Sequence, residues 1–471
     1  MDQRLARLDR VLWLTVPACA VLAILAHAAL LPLGRWYPDE FIQFANHRAL
    51  GWQAVADRIL HWSPRPFSEL LLFLYSTAVF WAEIPGVAVV LAVGWTGVLV
   101  LLLAASRIAG IGLALPICLV AASLLVTQPG EVWYWPAAAL AYLPAFAGLG
   151  AAVLLIASPI RRPMRDPMLC ACLTLTAASA EIGAIAVLLI GGAQLGRIIL
   201  GLVVPSLAPG ERLWVWLAPS LVAACVVMFL VSGRLGAAHE VFSQAPSIGN
   251  TWLSIGAART HAARVFGGVW LPGEDRTVLW LGIPVKLALI AGFWALLPAQ
   301  DRPPRRGSRR DRGDRAAGYG AGLHGPRLSA VLTALLPAAR HVPPVACRSG
   351  GACGGRVPAR RLFPVPAGRV VLAATILGLL ATRSAAIRSD FALIAPARHL
   401  RAANWLSGRT AGDAMTYRTE PMGRITGGWA IAPGVYRRPD RQSMPGEINW
   451  HVLAILAFFD KLELHAGGAA R

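Results

Sequence analysis

The residues best equipped for chemistry lie just past the first long apolar run. Asp39 and Glu40 stand in Arg35-Trp36-Tyr37-Pro38-Asp39-Glu40-Phe41, and Arg65 in His61-Trp62-Ser63-Pro64-Arg65-Pro66-Phe67. A carboxylate at a lipid–water boundary can act as general base on a hydroxyl acceptor, because it reaches both bound substrate and solvent. The same pair could help to hold a divalent cation. Arg65, between two prolines, is held on a stiff stretch and suits a phosphate, which a guanidinium grips bidentately. His61 adds a polar contact beside it. The plain alternatives are a solvated loop for the two acids and a head-group anchor for Arg65.

A second constellation is Glu131-Val132-Trp133-Tyr134-Trp135-Pro136-Ala137, followed by Tyr142 and Pro144. Aromatic residues at a membrane interface commonly form a belt. Three in a row beside Glu131 could instead stack on a sugar ring or line a prenyl-chain groove. Glu181 lies inside the apolar stretch Ala178-Ser179-Ala180-Glu181-Ile182-Gly183. A carboxylate in a span is costly unless it is paired or faces a wet cavity, and Lys286 is a candidate partner. Near the C-terminus, His451 in Glu447-Ile448-Asn449-Trp450-His451 could do acid–base work, although a lone histidine is more often incidental. No Walker loop, HExxH or GxSxG occurs, so soluble nucleotide chemistry has little support.

The elements that must position these groups are membrane helices. Of 471 residues, 56% are hydrophobic and 14% charged, with mean hydropathy +0.57. Apolar runs of about 20 residues recur, each long enough for a hydrocarbon core. The expectation is an all-α, polytopic helical protein of about nine spans, at 11–33, 85–105, 108–127, 133–156, 168–191, 195–209, 213–233, 277–298 and 368–382. The first run carries no clean cleavage site and reads as an uncleaved span. Arginine-rich short loops belong inside, which works only if 67–81 lies in the outer interface without crossing. The first loop (34–67), the 127–133 and 234–276 loops and the tail from Arg383 then all face outside. The seven cysteines form no framework, and neither a disulfide nor a metal site is expected.

Residues 1–300 thus form a transmembrane domain, and 370–471 the final span and external tail. Between them, 301–369 changes character: fourteen arginines face three aspartates, supplying +11 of the +20 formal charge. A disordered basic loop and an anionic-lipid patch are two readings. A third fits best, because Arg, Pro, Gly and Ala are what GC-rich codons yield out of frame: two compensating frameshifts. The net charge is therefore no argument for nucleic acid.

Four pieces, in order, resemble the membrane glycosyltransferases of the GT-C fold, in a poorly characterised bacterial branch. They are Pro38-Asp39-Glu40-Phe41, the Arg65–Ser68 element, Trp135 through Tyr142 and Pro144, and Glu181 in its small-residue setting. The tail Asn449-Trp450-His451 with Phe458-Phe459 is similar to that branch's ending. The chain departs from the branch at Ala138 and Ala139, where glycine tends to precede the tyrosine. The resemblance implies an enzyme of the bacterial inner membrane. Its donor would be a polyprenyl-phosphate-linked sugar, its acceptor a cell-envelope glycan, lipid or protein, and its cofactor none beyond a divalent cation at most. Asp39 would be the catalytic carboxylate and Arg65 the contact for the lipid phosphate. Partners are then membrane lipids and no nucleic acid. Two other readings stand beside it: a transporter or flippase coupled through Glu181 and Lys286, and a non-catalytic membrane protein.

Overall fold

The computed structural model describes residues 2–127, 129–157, 164–203, 213–242, 268–269, 278–279, 282–296, 365–438 and 450–467. The proposed frameshifted stretch lies outside them up to residue 364, as do residues 158–163 and 204–212 and most of the expected 234–276 loop, whose first part, through Phe242, continues the helix Leu213–Phe242.

The described chain is mainly helical. Four helical stretches are long and apolar enough to cross a membrane: Val11–Leu33, Val87–Ala109, Pro136–Ala157 and Ala367–Ile394. Shorter apolar helices accompany them, among them Pro66–Ala82, Ala114–Val126 and Gly282–Phe293. Val87–Ala109 packs on Pro136–Ala157, which packs on Arg165–Ser179, while Asp2–Ala28 packs on Ala114–Val126 and Val365–Ile394. Small residues permit the close approaches. A Cβ on Gly148 would press on Cys172 O and Thr176, so Gly148 lets the Pro136–Ala157 and Arg165–Ser179 helices meet backbone to backbone.

The structure corrects several expected boundaries. The first loop is a pair of helices, Pro38–Leu50 and Trp52–His61. Pro38 sits at the first helical position, where its missing N–H costs nothing. Glu40 Oε2 accepts the Tyr37 N–H at 2.9 Å, closing the helix start. Gly51, at φ +56°, provides the left-handed residue that lets the second helix turn away. The apolar run 168–191 is broken: Arg165–Ser179 ends, Ala180 is extended at φ −156° and ψ 149°, and Glu181–Val203 begins. Glu181 is therefore a helix-start residue and not a mid-helix one. The first part of the expected 195–209 span, through Val203, continues that same helix. The last long helix runs to Ile394, so Arg383 is inside it, fully buried, donating to Thr127 O at 2.9 Å.

The fold is also not purely helical. After Arg398–Arg409 come the strands Ala414–Arg418, Gly434–Arg437 and Glu463–Gly467. The last lies between the other two, parallel to the first (Thr416 opposite His465) and antiparallel to the second (Val435 opposite His465). The helix Trp450–Phe459 completes this C-terminal unit and packs against Pro38–Leu50. Trp36 is the hub. Its ring meets Phe41, Phe44, Trp405 and Phe458 edge-on, with centroids 5.0–5.4 Å apart. Its Nε1–H donates to Tyr75 Oη at 2.7 Å, and its carbonyl accepts Trp429 Nε1–H at 2.9 Å. A buried cluster of this kind combines large apolar area with satisfied polar tips.

Candidate functional site

A cavity of about 210 Å³ opens where Pro38–Leu50, Trp52–His61, Pro66–Ala82 and Pro136–Ala157 converge. Asp39 and Gln43 line one wall, Arg58, Arg65 and Glu69 another, and Trp135 and Tyr142 the third. Trp62 stands at its edge, half exposed.

Most of the polar groups around it are committed. Arg58 grips Glu69 with two hydrogen bonds, at 2.8 and 3.3 Å. Arg65 Nε donates to Glu181 Oε2 at 2.5 Å, and its Nη2 reaches Tyr142 Oη at 3.4 Å, with the guanidinium 5.2 Å from that ring. Ser68 Oγ donates to Ser179 O at 2.5 Å, satisfying a carbonyl that the helix break leaves open. The Arg65–Ser68 element thus clasps both sides of the break before Glu181. Burial works to lower the Arg65 pKa, but Glu181 and Tyr142 together outweigh it, and the guanidinium stays charged.

Asp39 is an exception. It makes no hydrogen bond or ion pair among the described residues, although Arg58, His451, Arg65 and Glu69 all act on it electrostatically. Burial raises its pKa above the ordinary value, while Arg58, His451 and Arg65 pull it back. An uncommitted, partly desolvated carboxylate is what a general base requires.

Glu40 points the other way. It is fully buried, and its oxygens accept N–H groups from Tyr37, Trp135 and Ala137 at 2.8–2.9 Å. Ala137 opens the Pro136–Ala157 helix, so Glu40 joins the starts of two helices. Burial pushes its pKa up to about 8 against those three donors. Its place is in the scaffold behind Asp39, outside the cavity lining.

The other expected site residues divide. Trp135 and Tyr142 line the cavity; Glu181 sits behind Arg65. His61 is exposed on the last turn of its helix, its Nδ1 3.1 Å from Asp57 O, and does not line the cavity. Glu131 is exposed on the short Gly130–Trp133 helix, also outside the lining. Trp133 and Tyr134 are core residues, 1% and 0% exposed, so the aromatic triplet is neither a belt nor a stacking platform as a whole. Lys286 lies on Gly282–Leu296, which packs against Val365–Ile394; the partner found for Glu181 is Arg65.

Sequence reasoning missed Gln43, Arg58 and Glu69. The signal was present: Asp39, Gln43 and His47 recur every four residues, one face of a helix. It was hidden by reading the stretch as a loop. His451 was discounted as a lone histidine, yet the C-terminal helix brings it near enough to act on Asp39, its ring edge-on to Trp429 at 5.4 Å.

No family model, curated protein or solved structure matches this chain. The site must be read on its own chemistry. Among the described residues no group of three or more His, Cys, Asp or Glu side chains is placed to hold a metal ion.

Proposed function

We propose that the chain is a multi-pass enzyme of the bacterial inner membrane, a glycosyltransferase of GT-C type. It would move a sugar from a polyprenyl-phosphate carrier to a hydroxyl of a cell-envelope acceptor on the external face. The observation that carries the reading is the pairing, in one cavity, of an uncommitted Asp39 with Arg65, whose guanidinium is fixed through Nε and keeps Nη1–H for a ligand. Four helical stretches of spanning length and composition support its membrane setting.

In this reading the acceptor hydroxyl loses its proton to Asp39 as its oxygen attacks the anomeric carbon. The bond from that carbon to the phosphate oxygen breaks, and the electron pair leaves with the polyprenyl phosphate. Arg65 stabilises the charge on that oxygen. A single displacement inverts the anomeric configuration. Glu181 and Tyr142 hold Arg65 in place, and Glu40 fixes the helix that presents Asp39.

The test is transfer of labelled sugar from a panel of polyprenyl-phosphate monosaccharides in membranes carrying the wild-type chain or Asp39→Asn. The expected result is a loss of about 100- to 10,000-fold in the variant at equal expression. Undiminished transfer by Asp39→Asn would remove Asp39 from the chemistry, and absence of wild-type transfer across the panel would remove the function.

A further inference from the structure

One turn below Asp39 on the same helix face, Gln43 lines the cavity and is only 5% exposed. Its Oε1 is buried without a hydrogen-bond partner, and neither end of its amide is hydrogen-bonded to a described residue. Leaving such a group unsatisfied costs about 1–3 kcal/mol, so a buried amide of this kind normally faces water or a ligand. Several other polar groups around the cavity are already taken. Glu69 holds Arg58, Ser68 donates to Ser179 O, and Glu40 is filled by three N–H donors.

The chemistry of the two open side chains differs from that of Arg65. A carboxylate accepts hydrogen bonds, and an amide both accepts and donates. A phosphate offers acceptors and suits the arginine end. A hydroxyl offers one donor and accepting lone pairs, and suits the Asp39–Gln43 wall. The cavity holds about 210 Å³, room for about seven waters at liquid density, the scale of one small polyol ring. Gln43 is more buried than Asp39, on the inner part of the same wall.

We infer that Gln43 is a specificity-determining residue that hydrogen-bonds a ring hydroxyl of the sugar on the lipid-linked donor. This rests on the transferase reading and adds to it the element that chooses the sugar. A site built to pair a hydroxyl rejects an analogue lacking it, because the buried amide is again left unsatisfied.

The experiment is binding to the purified full chain in detergent, with bare short-chain polyprenyl phosphate, its glucose, mannose and arabinose conjugates, and the monodeoxy analogue series of each conjugate as probes. Wild type is compared with Gln43→Leu, of similar volume, and with Gln43→Glu, which keeps an acceptor at the same reach. The expected result is that wild type binds one conjugate about tenfold better than one of its monodeoxy analogues, that Gln43→Leu equalises the two, and that Gln43→Glu restores part of the preference. Bare polyprenyl phosphate should bind all three proteins alike. If Gln43→Leu keeps the wild-type preference, the inference is wrong and the transferase reading stands. If wild type binds no sugar-bearing lipid, both fall. Loss of bare polyprenyl-phosphate binding in both variants would also overturn the inference, since it makes Gln43 a structural residue.

Discussion

Arg65 Nε and Glu181 Oε2 meet at 2.5 Å although 116 residues separate them in the chain. One stands at the start of Pro66–Ala82 and the other at the start of Glu181–Val203. Their side chains are 24% and 19% exposed, so the pair is shielded without being sealed. It ties the cavity wall to the break in the helix.

That tie should be measurable as coupling. Arg65→Gln and Glu181→Gln should each destabilise the chain, and the double variant by less than their sum, with a coupling of about 1–3 kcal/mol. Chemical unfolding in detergent gives the numbers, and strict additivity would mean that the pair contributes nothing to stability.

The break itself depends on Gly183, where a Cβ would run into the carbonyl of Thr176. Gly183→Ala should cost about 1–3 kcal/mol and displace Glu181 from Arg65. A thermal midpoint equal to that of wild type would show that the two helices can part without loss.

Asp39 must be ionised to act as a base, and burial holds its pKa above the usual carboxylate value. Transfer should therefore be present at neutral pH and lost as pH falls through that raised pKa, earlier than for a solvated aspartate. His451 favours the charged form, so His451→Phe should move this acid limb to higher pH. An acid limb that stays in place in the variant would separate His451 from the site.

Glu40 has the opposite consequence, for stability. Its folded pKa of about 8 lies above its ordinary value of 4.5, so the folded state holds the proton more tightly. The stability this contributes is full below the ordinary pKa and declines as pH rises towards 8, by an amount on the order of a few kcal/mol. Glu40→Gln should flatten that slope in thermal scans between pH 5 and 8, even though the amide loses part of the three-donor contact.

Glu420, 6% exposed, is held by Arg401 at 2.8 Å with Arg35 at 3.9 Å, while Arg401 Nη1 also donates to Gly34 O at 2.6 Å. This clamp fastens the C-terminal unit over the first helices. Glu420→Ala leaves buried Arg35 facing the half-buried Arg401 and should cost about 3 kcal/mol. Limited proteolysis should then cut within 414–437 faster than in wild type, and an unchanged cleavage rate would show that the aromatic cluster around Trp36 holds the unit alone.

Much of this molecule was legible in its sequence. Apolar runs of about 20 residues specify helices because only a helix satisfies every backbone group in lipid, and Val87–Ala109 and Pro136–Ala157 lie within a few residues of expectation. Residue type also marked Asp39, Arg65, Trp135 and Tyr142, since polar and aromatic groups next to long apolar runs stand out, and all four line one cavity. What the tertiary structure decided was which of two adjacent acids faces that cavity. Asp39 and Glu40 are neighbours, but the helix turns them about 100° apart, and the packing of Pro136–Ala157 brings Glu40 two of its three donors, Trp135 and Ala137, and leaves Asp39 open. The break at Ala180 was invisible for a related reason. The apolar pattern continues through it, and the hydroxyl and guanidinium that satisfy its loose ends come from Ser68 and Arg65, more than a hundred residues away.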